Sequence, residues 1–181
     1  MSTTIDRFKA ALSTGGARAN QFSVVLPGDR GFDTNKAVLL KAAALPAFDV
    51  GDVAVPFRGK TIHFAGEKVF AQWTATFIND NEFSNRRVFE EWHYAISNND
   101  SIGGDLRGYW GNIIVNQLDR NADTILRSYV LHNAYPSSVS DIQLDYGQGD
   151  AIEEFTVTFT YDYFTFEDGD KPEVLSTGAT V

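Results

Sequence analysis

The chain has 181 residues, 43% of them apolar and 13% aromatic, with a formal net charge of −9 and no cysteine. That length suits one domain burying roughly 70% of its unfolded surface, and the composition excludes a disordered chain. The absence of cysteine excludes disulfides, thiolate metal sites and cysteine nucleophiles, and the acidic balance argues against ordinary nucleic-acid binding, which needs a basic surface to displace counterions.

The N-terminus carries Asp6, Arg7 and Lys9 where a secretory signal would have its apolar centre, so it reads as mature protein. No apolar run approaches the ~18 residues of a membrane-spanning helix. Residues 3–13 read as a short helix: Ile5, Phe8 and Leu12 recur at helical spacing, Thr3 or Thr4 can cap the start, and Gly15-Gly16 ends it. A strand follows at 21–27, stopped by Pro27-Gly28, then a turn-rich connection at 28–35. Further strands are expected at 36–46, 53–57, 59–66 and 69–79, the last with Trp73 and Phe77 on one face and Thr74 and Thr76 on the other.

The one long helix is expected over 82–97, with Val88, Phe89, Trp92, Ala95 and Ile96 in a single stripe and Asp80 or Asn81 as N-cap. Arg86, Arg87, Glu90, Glu91 and His93 cover its other side. A long loop at 97–108 leads to a hairpin of two strands, 109–119 and 124–135, joined at 120–123. A strand at 139–146 and a Gly-rich turn precede the sequence EEFTVTFTYDYFTF at 153–166. There Phe155, Val157, Phe159, Tyr161 and Tyr163 alternate with Thr156, Thr158, Thr160 and Asp162, the pattern of one two-faced strand. At about 3.3 Å per residue it would run ~45 Å, more than twice the usual length. Residues 1–166 thus read as a single mainly β domain, an antiparallel sandwich or barrel with one helix packed on it, and 167–181 as a mobile Gly/Pro-rich tail.

The search for chemistry finds no catalytic, cofactor-binding or metal site. His63, His93 and His132 lack any zinc-ligand spacing and read as surface or strand residues. Asp119-x-Asn121-x-Asp123 imitates the start of a calcium loop, but Thr124 and Val130 stand where Gly and Glu are needed, so a side-chain-bonded turn is the better reading. Residues 147–152 hold only two glycines of a dinucleotide motif. Glu90/Glu91 and Glu153/Glu154 are sequence neighbours that point in different directions and make no glycosidase pair. Asn99-Asp100-Ser101 is a sequon with meaning only on a secretory route. Trp73 and Trp92 lie on core faces, which leaves Trp110 as the one candidate for a carbohydrate platform.

The middle of the chain resembles the tail tube proteins of contractile-tailed, T-even-like bacteriophages. The residues that carry this are Ala44-Leu45-Pro46, Pro56-Phe57-x-x-Lys60, Ala65-Gly66-x-Lys68-x-Phe70-x-x-Trp73, and Asn79-Asp80 before the helix bearing Phe89 and Trp92. Residues 17–26 and 142–164 are similar to that family too, and the extension after Phe164 departs from it. The resemblance implies a structural, non-enzymatic subunit without cofactors, six to a ring, with rings stacked into the inner tube of a contractile tail. DNA would pass through the lumen without specific binding. Sheath, baseplate and tail terminator proteins would be partners, and the subunit, assembled in the host cytoplasm, would end in the virion tail. By the same analogy strands 36–44, 59–66, 109–118 and 125–134 would line the channel, and an acidic wall would repel phosphates. Two alternatives remain at this level: the tube of a tailocin, injection system or type VI device, and a monomeric carbohydrate-binding sandwich using Trp110.

Overall fold

A computed structural model describes residues 4–12, 16–28, 32, 39–97, 106–147, 149 and 151–168. Helix α1 (Thr4–Ala11) is followed by strands β1 (Phe22–Val25), β2 (Leu40–Ala43), β3 (Phe48–Phe57), β4 (Lys60–Phe70) and β5 (Trp73–Ile78). Helix α2 (Ser84–Ser97), a 3-10 turn (Leu106–Tyr109) and strands β6 (Gly111–Leu118), β7 (Ile125–Val139), β8 (Glu154–Thr160) and β9 (Tyr163–Asp168) complete the order. The main sheet runs β1-β6-β7-β8-β5-β2 with β9 also on β7, while β3 and β4 form a separate two-stranded sheet. The mainly antiparallel β class expected from the sequence is what the chain adopts. The residues 169–181 of the expected tail, the 98–105 part of the long loop with its sequon, and most of 28–35 lie outside the described residues.

Contacts group the chain into two units. The larger comprises Val24–Val115 and Tyr129–Thr165. Its core is built on the alternation of β5 and β8. Trp73 pairs with Phe159, Ala75 with Val157 and Phe77 with Phe155, so one sheet face is continuously apolar, and all six are buried. The opposite face is a threonine ladder, Thr74 beside Thr158 and Thr76 beside Thr156, the last two hydroxyls 3.3 Å apart. Helix α2 seals the apolar face. Phe89 is centred 4.9 Å from Phe77 and 5.9 Å from Phe159, and Trp92 lies 6.3 Å from Phe159. Offset and tilted rings at such distances contribute beyond simple burial. Trp92 Nε1 donates to the Tyr109 carbonyl at 2.7 Å, so its one polar atom is satisfied. Gly111 packs under Trp92 where any β-carbon would collide with the Pro27 ring.

The helix begins at Ser84, two residues later than expected, because Asn81-Glu82 form a turn and Phe83 takes a left-handed backbone (φ 54°). Asp80 accepts from the Ser84 backbone N–H at 2.8 Å and from Ser84 Oγ at 2.7 Å, tying off donors that the first turn leaves free. Its buried stripe is narrower than the sequence suggested, with Phe89 and Trp92 buried but Ala95 exposed. Arg86 departs from the expectation of a solvent-facing side. Its guanidinium lies 5.2 Å from the Phe155 ring centre, donates to the Ser140 carbonyl at 2.7 Å and pairs with Glu90 at 2.7 Å.

Several strand boundaries differ from expectation. The 53–57 and 59–66 strands are longer, extending down to Phe48 and up to Phe70, and what reads as one strand over 69–79 breaks at Ala71-Gln72 into the end of β4 and all of β5. The described part of the 36–46 strand is β2, four residues at the sheet edge. Beyond Val139 the expected 139–146 strand does not form. The backbone there turns, with the Gly147 N–H bonded to Asp145 Oδ1 at 2.9 Å.

The long strand at 153–166 is interrupted at Tyr161-Asp162. The cause lies opposite, in β7, where Asn133 takes a left-handed backbone (φ 55°) in mid-strand. Its amide donates to Asp162 Oδ2 at 2.6 Å, so the two irregularities lock together. A one-residue irregularity inverts the facing of every later side chain. Tyr161 is buried, whereas Tyr163 is exposed and stacks flat on His132, 4.6 Å between ring centres.

The smaller unit comprises Met1–Ser23, Asn116–Ser128 and Phe166–Val181. Among its described residues, Leu118 N–H bonds the Gln21 carbonyl at 3.0 Å and Gln117 Nε2 donates to the same carbonyl at 2.8 Å. Asn116 bridges Ser23 and Ser128 at 3.2 and 2.7 Å. The 119–124 stretch is the expected turn, closed by Asp119 N–H to the Thr124 carbonyl at 2.8 Å. Residues 4–10 of α1 are exposed, Ile5 and Phe8 among them, as is Leu12 just beyond the helix.

Candidate assembly surface

Among the described residues no three His, Asp or Glu groups gather to hold a metal. The three histidines have separate structural neighbours: His63 Nδ1 meets Asp52 Oδ2 at 2.7 Å, His132 Nε2 meets Thr165 Oγ1 at 2.9 Å, and His93 lies on the exposed side of α2. Burial pushes the His132 imidazole below its ordinary value and the Tyr161 phenol above its own. Glu154 is occupied by Lys41 Nζ at 2.6 Å and Glu153 by Asn79 Nδ2 at 2.8 Å, so that neighbouring pair is structural. Trp110 is half-buried, with Tyr109 edge-on at 5.8 Å. A depression lined by Glu90, His93, Tyr94 and Val139 and another lined by Arg87, Glu90, Glu91, Tyr94 and Ala95 are open to solvent.

What the molecule does present is an arm. β3 and β4 pair with each other and with no other described strand, and every residue from 51 to 65 is exposed. The tip is a two-residue turn with Arg58 at φ 49° and Gly59 at φ 80°. Left-handed backbone at both central positions is the hairpin turn whose twist matches its strands. The register sets Val53 opposite Phe64, Val55 opposite Ile62 and Phe57 opposite Lys60. Residues directly opposite in an antiparallel pair share a face, so Val53, Val55, Phe57, Ile62 and Phe64 make one continuous apolar surface. Asp52, Ala54, Pro56, Thr61, His63 and Ala65 make the other, small and polar. Phe57 and Phe64 are each 57% exposed, against 0% for Phe77.

Such an arrangement is unfavourable for a chain in isolation. A two-stranded hairpin is marginally stable by itself, its outer edges leave backbone groups unpaired, and its apolar face costs hydration free energy. All three deficits vanish together if the arm lies against another protein surface. The sequence signals both strands, but exposure to a partner is not written in their alternation.

Comparison with known proteins bears on what that surface is. The family described as phage tail tube protein matches residues 17–167. The tail tube protein gp19 of Enterobacteria phage T4 is 32% identical over 163 residues, covering 88% of this chain and 98% of that protein. The tail tube protein of Serratia phage KSP90 is 25% identical over 167 residues, covering 87% and 94%. Among solved structures, a chain of the anti-feeding prophage tube-terminating cap superposes with a TM-score of 0.64 at 15% identity, covering 84% of this chain and 91% of its own. A chain of the sheath–tube complex of the extracellular contractile injection system PVC reaches 0.60 at 12% identity, covering 84% and 92%. At these identities the two structures share a fold.

Proposed function

Because the chain belongs to the phage tail tube protein family, we propose that it is a structural subunit whose copies close six to a ring, with rings stacked into the inner tube of a contractile tail. It works by shape and makes or breaks no bonds. The observation that supports this reading is the apolar face of the β3–β4 arm, exposed on the single chain, which a second copy would cover. A head-to-tail contact of this kind builds a ring when its rotation closes, and closure removes free sheet edges. Sheath, baseplate and terminator proteins are the partners at the outer wall and ends, DNA is the cargo of the lumen, and the tube is assembled in the host cytoplasm before joining the virion tail.

The strands proposed to line the channel, 36–44, 59–66, 109–118 and 125–134, carry Lys36, Lys41, Lys60 and Arg127 and no carboxylate. An acidic wall therefore does not go with them. If β4 lines the channel its partner β3 does too, bringing Asp49 and Asp52, and Lys41 is already paired with Glu154. We retain the strand set and read the wall as near-neutral. Such a wall also lets DNA slide, since tight binding needs many uncompensated cations.

The related reading, an injection-device tube, is supported at the level of fold, whereas sequence similarity near one third identity is to phage proteins. The test is electron microscopy of the purified chain over a concentration series. Rings or tubes are expected as concentration rises; a monodisperse monomer at every concentration would sink the proposal.

A further inference from the structure

The arm leaves the core through one irregular point. Its stem pairs Phe48 with Phe70, Asp49 with Val69 and Val50 with Lys68, and the ladder resumes with Asp52 opposite Ala65. Gly51 therefore stands opposite two residues, Gly66 and Glu67. That is a β-bulge, which bends its strand and tightens the local twist.

The two glycines that meet there are not equivalent. A β-carbon on Gly66 would stand 3.0 Å from the Gly51 carbonyl oxygen, 3.1 Å from its carbon and 3.3 Å from Val53 Cγ2. A β-carbon on Gly51 would meet nothing closer than the Glu67 carbonyl oxygen at 3.5 Å, an ordinary contact. Neither residue has left-handed backbone, so the difference between them is one of space: a β-carbon at 66 fits only if the Gly51 backbone gives by a few tenths of an ångström.

Below the bulge the stem is clamped. Lys68 Nζ lies 4.1, 4.9 and 5.7 Å from the ring centres of Phe48, Phe70 and Phe164, and Phe70 meets Phe164 edge-on at 5.5 Å. Exposure runs through both parts, since Phe48, Val50 and Val69 of the stem are exposed as residues 51–65 are, so the Lys68 contacts and not burial set the stem apart. A stem held by the Lys68 contacts, a bend with little room for a side chain at Gly66 and an exposed blade together define a direction.

We propose that Gly66 is a positioning residue of assembly: its close approach to Gly51 sets the angle at which the arm leaves the Lys68-clamped stem, and so brings the apolar face onto a second copy of this chain. The inference rests on the assembly reading above, since an angle matters only to an arm that docks. A glycine needed merely for folding would alter stability; one that aims the arm alters where the tip lies and leaves the core intact.

The absence of cysteine allows spin labels at Thr61→Cys, on the arm's polar face, and Glu91→Cys, on the exposed side of α2. In dilute, unassembled protein the Gly51→Ala chain should give the same tip-to-helix distance distribution as the parent. Gly66→Ala should give a shifted or broadened one with an unchanged melting midpoint. At high concentration Gly66→Ala should need about tenfold more protein or worse to form rings, while Gly51→Ala assembles like the parent. Superimposable distributions, or assembly of Gly66→Ala at the parent's concentration, would overturn the proposal. So would equal displacement by both alanines, which indicates general loosening. Should Gly66→Ala not fold, Lys68→Met releases the clamp without touching the bulge; an unbroadened distribution there is equally fatal. Failure of the docking reading shows differently: Phe64→Asp would assemble normally although Gly66→Ala moves the tip, and the purpose assigned to the bend would fall with it.

Discussion

The β5–β8 core and the β3–β4 arm are made from the same materials. Each is an antiparallel pair with an apolar face of phenylalanine and valine, yet Phe77 is fully buried and Phe64 is more than half exposed. In the core, α2 supplies the covering layer from within the chain. On the arm no described element does. Alternation declares that a face wants cover, and it does not say whether the cover belongs to the same polypeptide.

That contrast can be broken most forcefully from the core side. Phe89→Ala removes the ring that meets Phe77, Phe155 and Phe159, and should cost about 3–5 kcal/mol of stability, read as a large fall in denaturation midpoint. On the arm, Phe64→Asp should leave the midpoint nearly unchanged, within about 0.5 kcal/mol. It should weaken copy-to-copy docking by about 2 kcal/mol or more, roughly thirtyfold in the concentration at which rings form by sedimentation or microscopy. If Phe64→Asp destabilised the monomer as Phe89→Ala does, the two regions would not differ in kind.

Smaller changes sharpen the comparison. Asp80→Ala frees the first turn of the helix that covers the core and should cost about 1 kcal/mol in chemical denaturation. Lys41→Met breaks an exposed ion pair with Glu154 and should cost under about 1 kcal/mol. The least effect is expected from acid. The folded state holds the His132 imidazole below its ordinary 6.5, so at pH values under 6.5 the unfolded chain takes up more protons than the folded one. Stability contributed by neutral His132 is therefore complete above 6.5 and declines as pH falls below it. His132→Gln should flatten that part of a melting-temperature profile.

The sequence makes α2 legible because Phe89 and Trp92 repeat at helical spacing behind a carboxylate cap. The β5 and β8 faces are legible because aromatic and threonine residues alternate without a break. The interruption at Tyr161-Asp162 is not, because tyrosine stands on both sides of it and the alternation reads through. Its cause, Asn133, is 29 residues away in sequence. The arm's strands are visible, but Gly51, Asp52 and Gly66 blur their stem, so their full length emerges only from the pairing. The assembly surface is not legible, since it is a property of exposure.

The Arg58-Gly59 tip has a practical meaning for anyone who handles this protein. A two-residue reversal has no slack, so one inserted residue there would slide one strand past its mate and present either Asp52, Ala54 and Pro56 where Val53, Val55 and Phe57 belong, or Thr61 and His63 where Ile62 and Phe64 belong. An affinity tag or fluorophore insertion at that tip should therefore poison polymerisation even in a soluble product, whereas the reversal at 119–124 is the safer place to splice.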